Sequence, residues 1–211
     1  MNQPPKQPSQ PDTISADHEG EMSPPSLHPS IWVASLADYN NGILHGDWIN
    51  ANQDETAIWQ QIQHILDTSP TARHEGAPAE EWAIHDYDDF GPLRLDEHEN
   101  IHTVAILGRH IAQYGPAYAA WADDIGLDKA ASDDAEQTFT GNYLGHYDTK
   151  ETYVQQAIDD LGLEADLDKA VPAPLRYYVQ IDYQALARDL ELGGDITFLA
   201  DPDGGWWGYR A

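Results

Sequence analysis

Acidic residues recur as doublets and near-doublets along almost the whole chain: Asp54-Glu55, Glu80-Glu81, Asp86 with Asp88-Asp89, Asp96-Glu97, Asp123-Asp124, Asp133-Asp134 and Asp159-Asp160, with Asp148 and Glu151 between the last two pairs. Carboxylates are costly to bury without partners, so each of these segments must keep one face in water. That constraint favours small units in line over one thick globule. Residues 31–93 carry a net charge of -10, residues 94–128 carry -4 and residues 129–211 carry -10.

The whole chain carries -27, from 37 acids against 10 lysines and arginines. Attraction to nucleic acid or to an anionic membrane surface is disfavoured, and a basic partner is favoured. The chain is nonetheless 41% hydrophobic, with seven Trp, eleven Tyr and three Phe, so it can build cores and is no disordered acidic tail. It contains no cysteine, which removes disulfides and thiolate metal sites from consideration. Residues 1–30 hold seven of the fourteen prolines and no apolar run of signal-peptide type, and nothing later approaches a membrane span in length. The expectation is a cytoplasmic protein with a disordered Pro-rich tail over residues 1–30.

Folded sequence begins with a β-prone run, Ile31 to Leu36, ended by the turn signal Tyr39-Asn40-Asn41-Gly42. A second strand is expected over Ile43 to Ile49. A helix follows over Asp54 to Leu66, with Ile58, Ile62, Ile65 and Leu66 at helical spacing, and then a third strand over Trp82 to Tyr87. Trp32, Trp48, Trp59 and Trp82 are expected as core or packing residues of this unit. Residues Asp96 to Tyr114 and then to Ile125 read as two helices separated by Gly115-Pro116. Further on, Asp133 to Tyr143 and Thr149 to Leu161 read as helices, and a Pro-broken loop follows. Tyr177 to Ile181 reads as a strand, and Asp182 to Leu192 as a helix closed by Gly193-Gly194. Ile196 to Leu199 then pairs with Trp206 to Tyr209. The fold class expected is α+β, an elongated chain of three small domains. These are a small antiparallel sheet with a helix (31–93), a short helical domain (94–131) and an α+β domain (132–211).

Several constellations invite chemistry. His98-Glu99-Asn100-Ile101-His102 fits the H-E-x-x-H pattern, in which two histidines four apart on a helix hold zinc and the glutamate acts as general base. The longer form of that pattern asks for Gly at 105 and His at 108, where this chain has Ala105 and Gly108. Asp96 and Glu99 read more simply as a helix N-cap with its capping-box partner. Glu164, Asp166 and Asp168 alternate as calcium ligands do, but lack the glycine and the distal glutamate of an EF-hand loop. His85 and His146 read as surface histidines among acids. Paired carboxylates catalyse acid–base chemistry only in an apolar pocket, and none is legible. A solvated acidic surface of halophilic type remains an alternative meaning of the charge.

Four blocks carry a resemblance. Ile31–Gly46 (IWVASLADYNNGILHG), Glu81–Asp88 (EWAIHDYD), Thr138–Asp148 (TFTGNYLGHYD) and Ile181–Leu190 (IDYQALARDL) together resemble the ArdA family of antirestriction proteins. The 30-residue tail lies outside the family pattern, and the segment after Leu199 matches it less well. The resemblance implies a non-enzymatic homodimer of elongated three-domain chains, carried by mobile elements, that mimics B-form DNA and occupies the DNA-binding cleft of type I restriction-modification enzymes. It implies no cofactor, no metal and no nucleic-acid partner. The mimic surface expected is the acid set Asp54, Glu55, Glu80, Glu81, Asp86, Asp88, Asp89, Asp96, Glu97, Asp123, Asp124, Asp133, Asp134, Asp148, Glu151, Asp159 and Asp160.

Overall fold

The computed structural model describes residues 27–210 and is a mixed α+β structure with two three-stranded antiparallel sheets. Residues 1–26 of the expected tail lie outside the described residues. Its last four residues are folded: Leu27 packs against the core, the Pro29 carbonyl accepts from the Ala51 N–H at 2.8 Å, and Ser30 opens the first strand.

That strand, β1 (Ser30–Ser35), is central in the first sheet because Ile31 and Val33 are fully buried. It does not turn directly into the next strand. Ser35 caps a single helical turn, α1 (Leu36–Asn40), and the Asp38 carboxylate, itself buried, accepts from the Thr71 N–H at 2.8 Å. The expected hairpin thus becomes a longer excursion, with Gly42 at φ 73°, before β2 (Gly46–Asn50). Gly46 is required there, since a Cβ would lie 2.3 Å from the Val33 carbonyl oxygen. Helix α2 (Glu55–Asp67) lays Ile58, Ile62, Ile65 and Leu66 on the core, and a short helix not expected from the sequence, α3 (Pro70–Glu75), follows it before the third strand. Ser69 caps α3, accepting from the Ala72 N–H at 3.1 Å, while Pro70 starts it and Gly76 ends it in the left-handed region. Strand β3 (Trp82–Asp88) pairs with β1 on the side away from β2.

The middle of the chain is helical: α4 (Ile101–Tyr114), α5 (Pro116–Ile125), α6 (Leu127–Ala130) and α7 (Ala135–Asn142). Helix α4 comes so close to the end of β2 that a Cβ on Gly108 would lie 2.5 Å from the Ala51 Cβ. The helix expected to reach Tyr143 stops earlier, and β4 (Tyr143–Tyr147) appears where no strand was expected. Gly145, at φ 126°, interrupts the alternation that marks a strand in sequence. Next come α8 (Lys150–Asp160), α9 (Leu163–Ala170), α10 (Ala173–Arg176) and α11 (Tyr183–Gly193). The Pro-broken loop therefore carries two short helices. Tyr177 to Ile181 is not a strand, because a strand needs an edge to pair with and Ile181 packs instead against Val154, Ile158 and Ala187. Strands β5 (Ile196–Ala200) and β6 (Trp206–Arg210) pair as expected, and β6 sits between β5 and β4.

One buried cluster runs from Ile31 and Ile49 through Val104, Leu107 and Tyr118 to Phe139, Trp207 and Tyr209. The join between the helical middle and the second sheet is aromatic: Phe139 lies within 4.9–5.5 Å, centroid to centroid, of Tyr114, Tyr118, Trp121 and Tyr143. The Tyr209 hydroxyl donates to the Ala117 carbonyl at 2.7 Å, tying β6 to α5. None of the four tryptophans of the first unit is fully buried, but they pack: Trp82 lies against the core and the indoles lie against one another. Trp48 and Trp59 are 45% and 42% exposed, and Trp32 and Trp82 are half-buried. Isoleucine fills the narrow space between sheet and helix, so the indoles pair edge-to-face outside it, Trp32 with Trp48 at 5.8 Å and Trp59 with Trp82 at 5.5 Å.

Candidate functional site

The seventeen acids of the expected surface all reach solvent: Glu55, Asp89 and Glu151 are half-buried and the other fourteen are exposed. Their placement follows from local structure. A β-bulge in β3 makes His85 an extra residue between the pairs Val33–Ile84 and Trp32–Asp86, so His85 and Asp86 both emerge at the surface. Asp88 follows Asp86 on the same face, and Asp89 is held at φ 60° with its carboxylate accepting from the His28 N–H at 2.9 Å. Glu80 and Glu81 stand at the start of β3 beside His98 and Trp82.

Two doublets occupy unfavourable ground for stability. Asp123-Asp124 closes α5 and Asp159-Asp160 closes α8, where the helix dipole places partial negative charge. Carboxylates at those positions weaken their helices.

The charge is also left largely unneutralised. Among the described residues Arg109 is the only lysine or arginine that pairs with any of the seventeen, reaching Asp54 at 3.7 Å. Histidines approach two others, with His102 Nδ1 3.0 Å from Glu55 and His98 Nε2 3.8 Å from Glu97. Four other cations pair with acids outside the set: Lys150 with Glu191 at 2.6 Å, Lys169 with Asp166 at 3.0 Å, Arg188 with Asp189 at 3.3 Å, and Arg176 with Asp168. Asp166 and Asp168 lie on helix α9 and are engaged in these pairs, so the alternating run of acids forms no calcium loop.

The structure brings some of the acids together. Asp54 and Glu55 from α2 and Asp133 from the segment before α7 share a cleft of about 530 Å³ with His102, Arg109 and His110 of α4. Glu136 lines the same cleft and was missed in sequence because it stands alone; its Oε1 accepts from the Tyr114 hydroxyl at 2.6 Å. That hydrogen bond holds the Glu136 carboxyl below its ordinary value. Glu55 is likewise lowered, chiefly by its bond to His102 and then by that from the Trp59 indole. Asp124 and Asp134 line a second cleft, of about 490 Å³, with Asp128, Lys129 and Arg210. Asp148, Asp159 and Asp160 line none of the clefts described, while Glu151 borders a small one beside Lys150 and Glu191.

The H-E-x-x-H stretch does not form a two-histidine helical face. Helix α4 begins only at Ile101, capped by Asn100, whose side chain accepts from the His102 N–H at 2.9 Å. His98 and Glu99 precede it in a turn held by Asp96, which accepts from the His98 N–H at 3.2 Å. The expected N-cap at Asp96 with Glu99 as capping-box partner is therefore also displaced, by the better-placed Asn100. Among the described residues no three His, Asp or Glu side chains converge as metal ligands.

A mixed α+β scaffold thus carries solvent-reaching carboxylates along its described length, two doublets of them at helix C-termini. The family model for antirestriction protein (ArdA) matches residues 31–202, and the chain belongs to that family. No curated protein matches the sequence.

Proposed function

We propose that the protein blocks restriction by imitating B-form DNA, its acidic surface competing with duplex for the positively charged DNA-binding cleft of type I restriction-modification enzymes. It works by occupancy and catalyses nothing. The observation that carries this reading is the set of seventeen surface acids, of which, among the described residues, only Asp54 meets a lysine or arginine. B-DNA presents one charge per about 1.7 Å, so the -48 of two copies of residues 31–211 corresponds to about 80 Å of duplex. The reading treats residues 31–93, 94–131 and 132–211 as three units of charge carried along a shared core, in a protein acting in the cytoplasm on behalf of a mobile element.

The active form is proposed to be a homodimer joined through the 132–211 unit. Leu161, Leu163, Leu175, Tyr177 and Tyr178 are 45–80% exposed there. Residues 169–181 hold Lys169 and Arg176 and no acid, so two copies can approach at this point without carboxylates facing each other. The test is to titrate the protein into a type I modification core bound to labelled duplex. Displacement of the DNA that weakens as salt rises is the expected result. Simultaneous binding of inhibitor and duplex in one cleft overturns the proposal.

A further inference from the structure

The cleft between the start of α2, one face of α4 and the segment leading into α7 contains a buried histidine whose hydrogen bonding fixes what it offers to a ligand. His110 is 7% exposed, and its Nδ1 lies 2.8 Å from the Tyr118 hydroxyl oxygen. Tyr118 has one hydroxyl proton, and it donates that to the Ala130 carbonyl at 2.6 Å. Nδ1–H must therefore be the donor to Tyr118, which leaves Nε2 of the neutral ring as an acceptor. The ring is kept neutral chiefly by burial, which lowers its pKa against the opposing influence of Glu136. Nε2 makes no hydrogen bond with the described residues and is not one of the sealed, unpaired polar atoms of the interior, so it opens to the cleft that His110 lines.

Arg109 of α4 supplies one cation at the rim, beside Asp54, and the charged neighbours otherwise include three carboxylates with open acceptor positions. Glu136 uses Oε1 for Tyr114 and, at 3.4 Å, for Gln113, which leaves Oε2 open. The Asp133 carboxylate accepts no hydrogen bond from the described residues, and Asp54 is reached only by Arg109 at 3.7 Å. The complementary ligand carries several N–H donors, no acceptor and a positive charge. A guanidinium fits better than an ammonium, because its planar fork serves acceptors contributed from separate directions, whereas an ammonium is a single strongly hydrated point charge.

We propose that this cleft receives an arginine side chain of the basic partner protein, with His110 Nε2 accepting at its buried end and Glu136, Asp133 and Asp54 accepting around it. The identity of the partner rests on the antirestriction reading; the chemistry of the cleft does not. The test follows the imidazole nitrogens of the intact protein by NMR during titration with N-acetyl-arginine amide. The His110 Nε2 resonance is expected to shift saturably, while neutral N-acetyl-citrulline amide leaves it in place. In the double variant Asp133→Asn/Glu136→Gln, which keeps side-chain shape, the apparent affinity should fall about tenfold. The proposal is overturned by an unshifted Nε2, by an equal response to citrulline amide, or by a folded double variant with undiminished affinity. If the double variant does not fold, the arginine–citrulline comparison on the native protein decides alone. Arginine binding without displacement of duplex from the modification core would sink the DNA-mimic reading and leave this site standing; displacement without arginine binding would do the reverse.

Discussion

Among the described residues Asp38 is the one buried carboxylate, and its chemistry contrasts with that of the acids at the surface. Burial by itself raises its carboxyl, but the Thr71 N–H at 2.8 Å, with the Thr71, Ser69 and Ser35 hydroxyls close by, outweighs that and holds the pKa at about 2, although Oδ2 itself has no hydrogen-bond partner. A folded-state value below the ordinary 3.8 means that ionised Asp38 stabilises the fold above that pH, and that this contribution is lost as pH falls toward 2. Asp38→Asn should cost about 2 kcal/mol at neutral pH, and the difference from the native protein should close between about pH 4 and pH 2. Urea unfolding at both ends of that range measures it. Nothing in the sequence separates Asp38 from the surface acids, because its burial depends on Thr71, thirty-three positions away. Tyr209 is a second residue of this kind: Tyr209→Phe removes the bond that ties β6 to the Ala117 carbonyl of α5 and should lower stability by about 1 kcal/mol, read from the denaturation midpoint.

Elements were legible wherever periodicity and punctuation agreed. Helix α2 shows its buried isoleucines at helical spacing, and α11 shows Asp182 at its start and Gly194 at its end, with the Asp182 side chain accepting from the Ala185 N–H at 2.9 Å. Strand β4 was not legible, since Gly145 breaks its pattern and its partner β6 lies some sixty residues on. The start of α4 was misplaced because Asp96 and Asn100 are both good caps, and only the packed position of Ile101 selects the second. Two substitutions test the element scale. Gly108→Ala forces α4 away from Ala51 and should destabilise by about 1–3 kcal/mol, measured by chemical denaturation. Asp159→Asn with Asp160→Asn relieves the C-terminal end of α8 and should raise the melting temperature by about 2 °C, even as it removes charge from the proposed mimic.

At the scale of the whole molecule the proposed mechanism is a distributed field. An exposed ion pair is worth about 0–1 kcal/mol, so any single Asp→Asn change among the surface acids should barely alter inhibition. Replacing Asp86, Asp88, Asp89, Asp159 and Asp160 together removes five charges per chain and should weaken binding far more, as read by competition against labelled duplex. If one lone substitution abolishes inhibition in a folded protein, a discrete hot spot replaces the distributed surface. Leu175→Asp with Tyr177→Asp should convert the proposed dimer to monomer in sedimentation while leaving the far-UV spectrum unchanged, since both side chains are exposed. The sequence alone determined the charge, its spread over every segment, the α+β class and the family, because each is carried by residue type or by short-range pattern. Tertiary structure alone decided that the tryptophans pair outside the core, that His98 and His102 share no helical face, and that Asp54, Glu55, Asp133 and Glu136 meet around His110. Those outcomes depend on which side chains fill the narrow space between layers and on contacts between segments far apart in the chain, and neither is written in local periodicity.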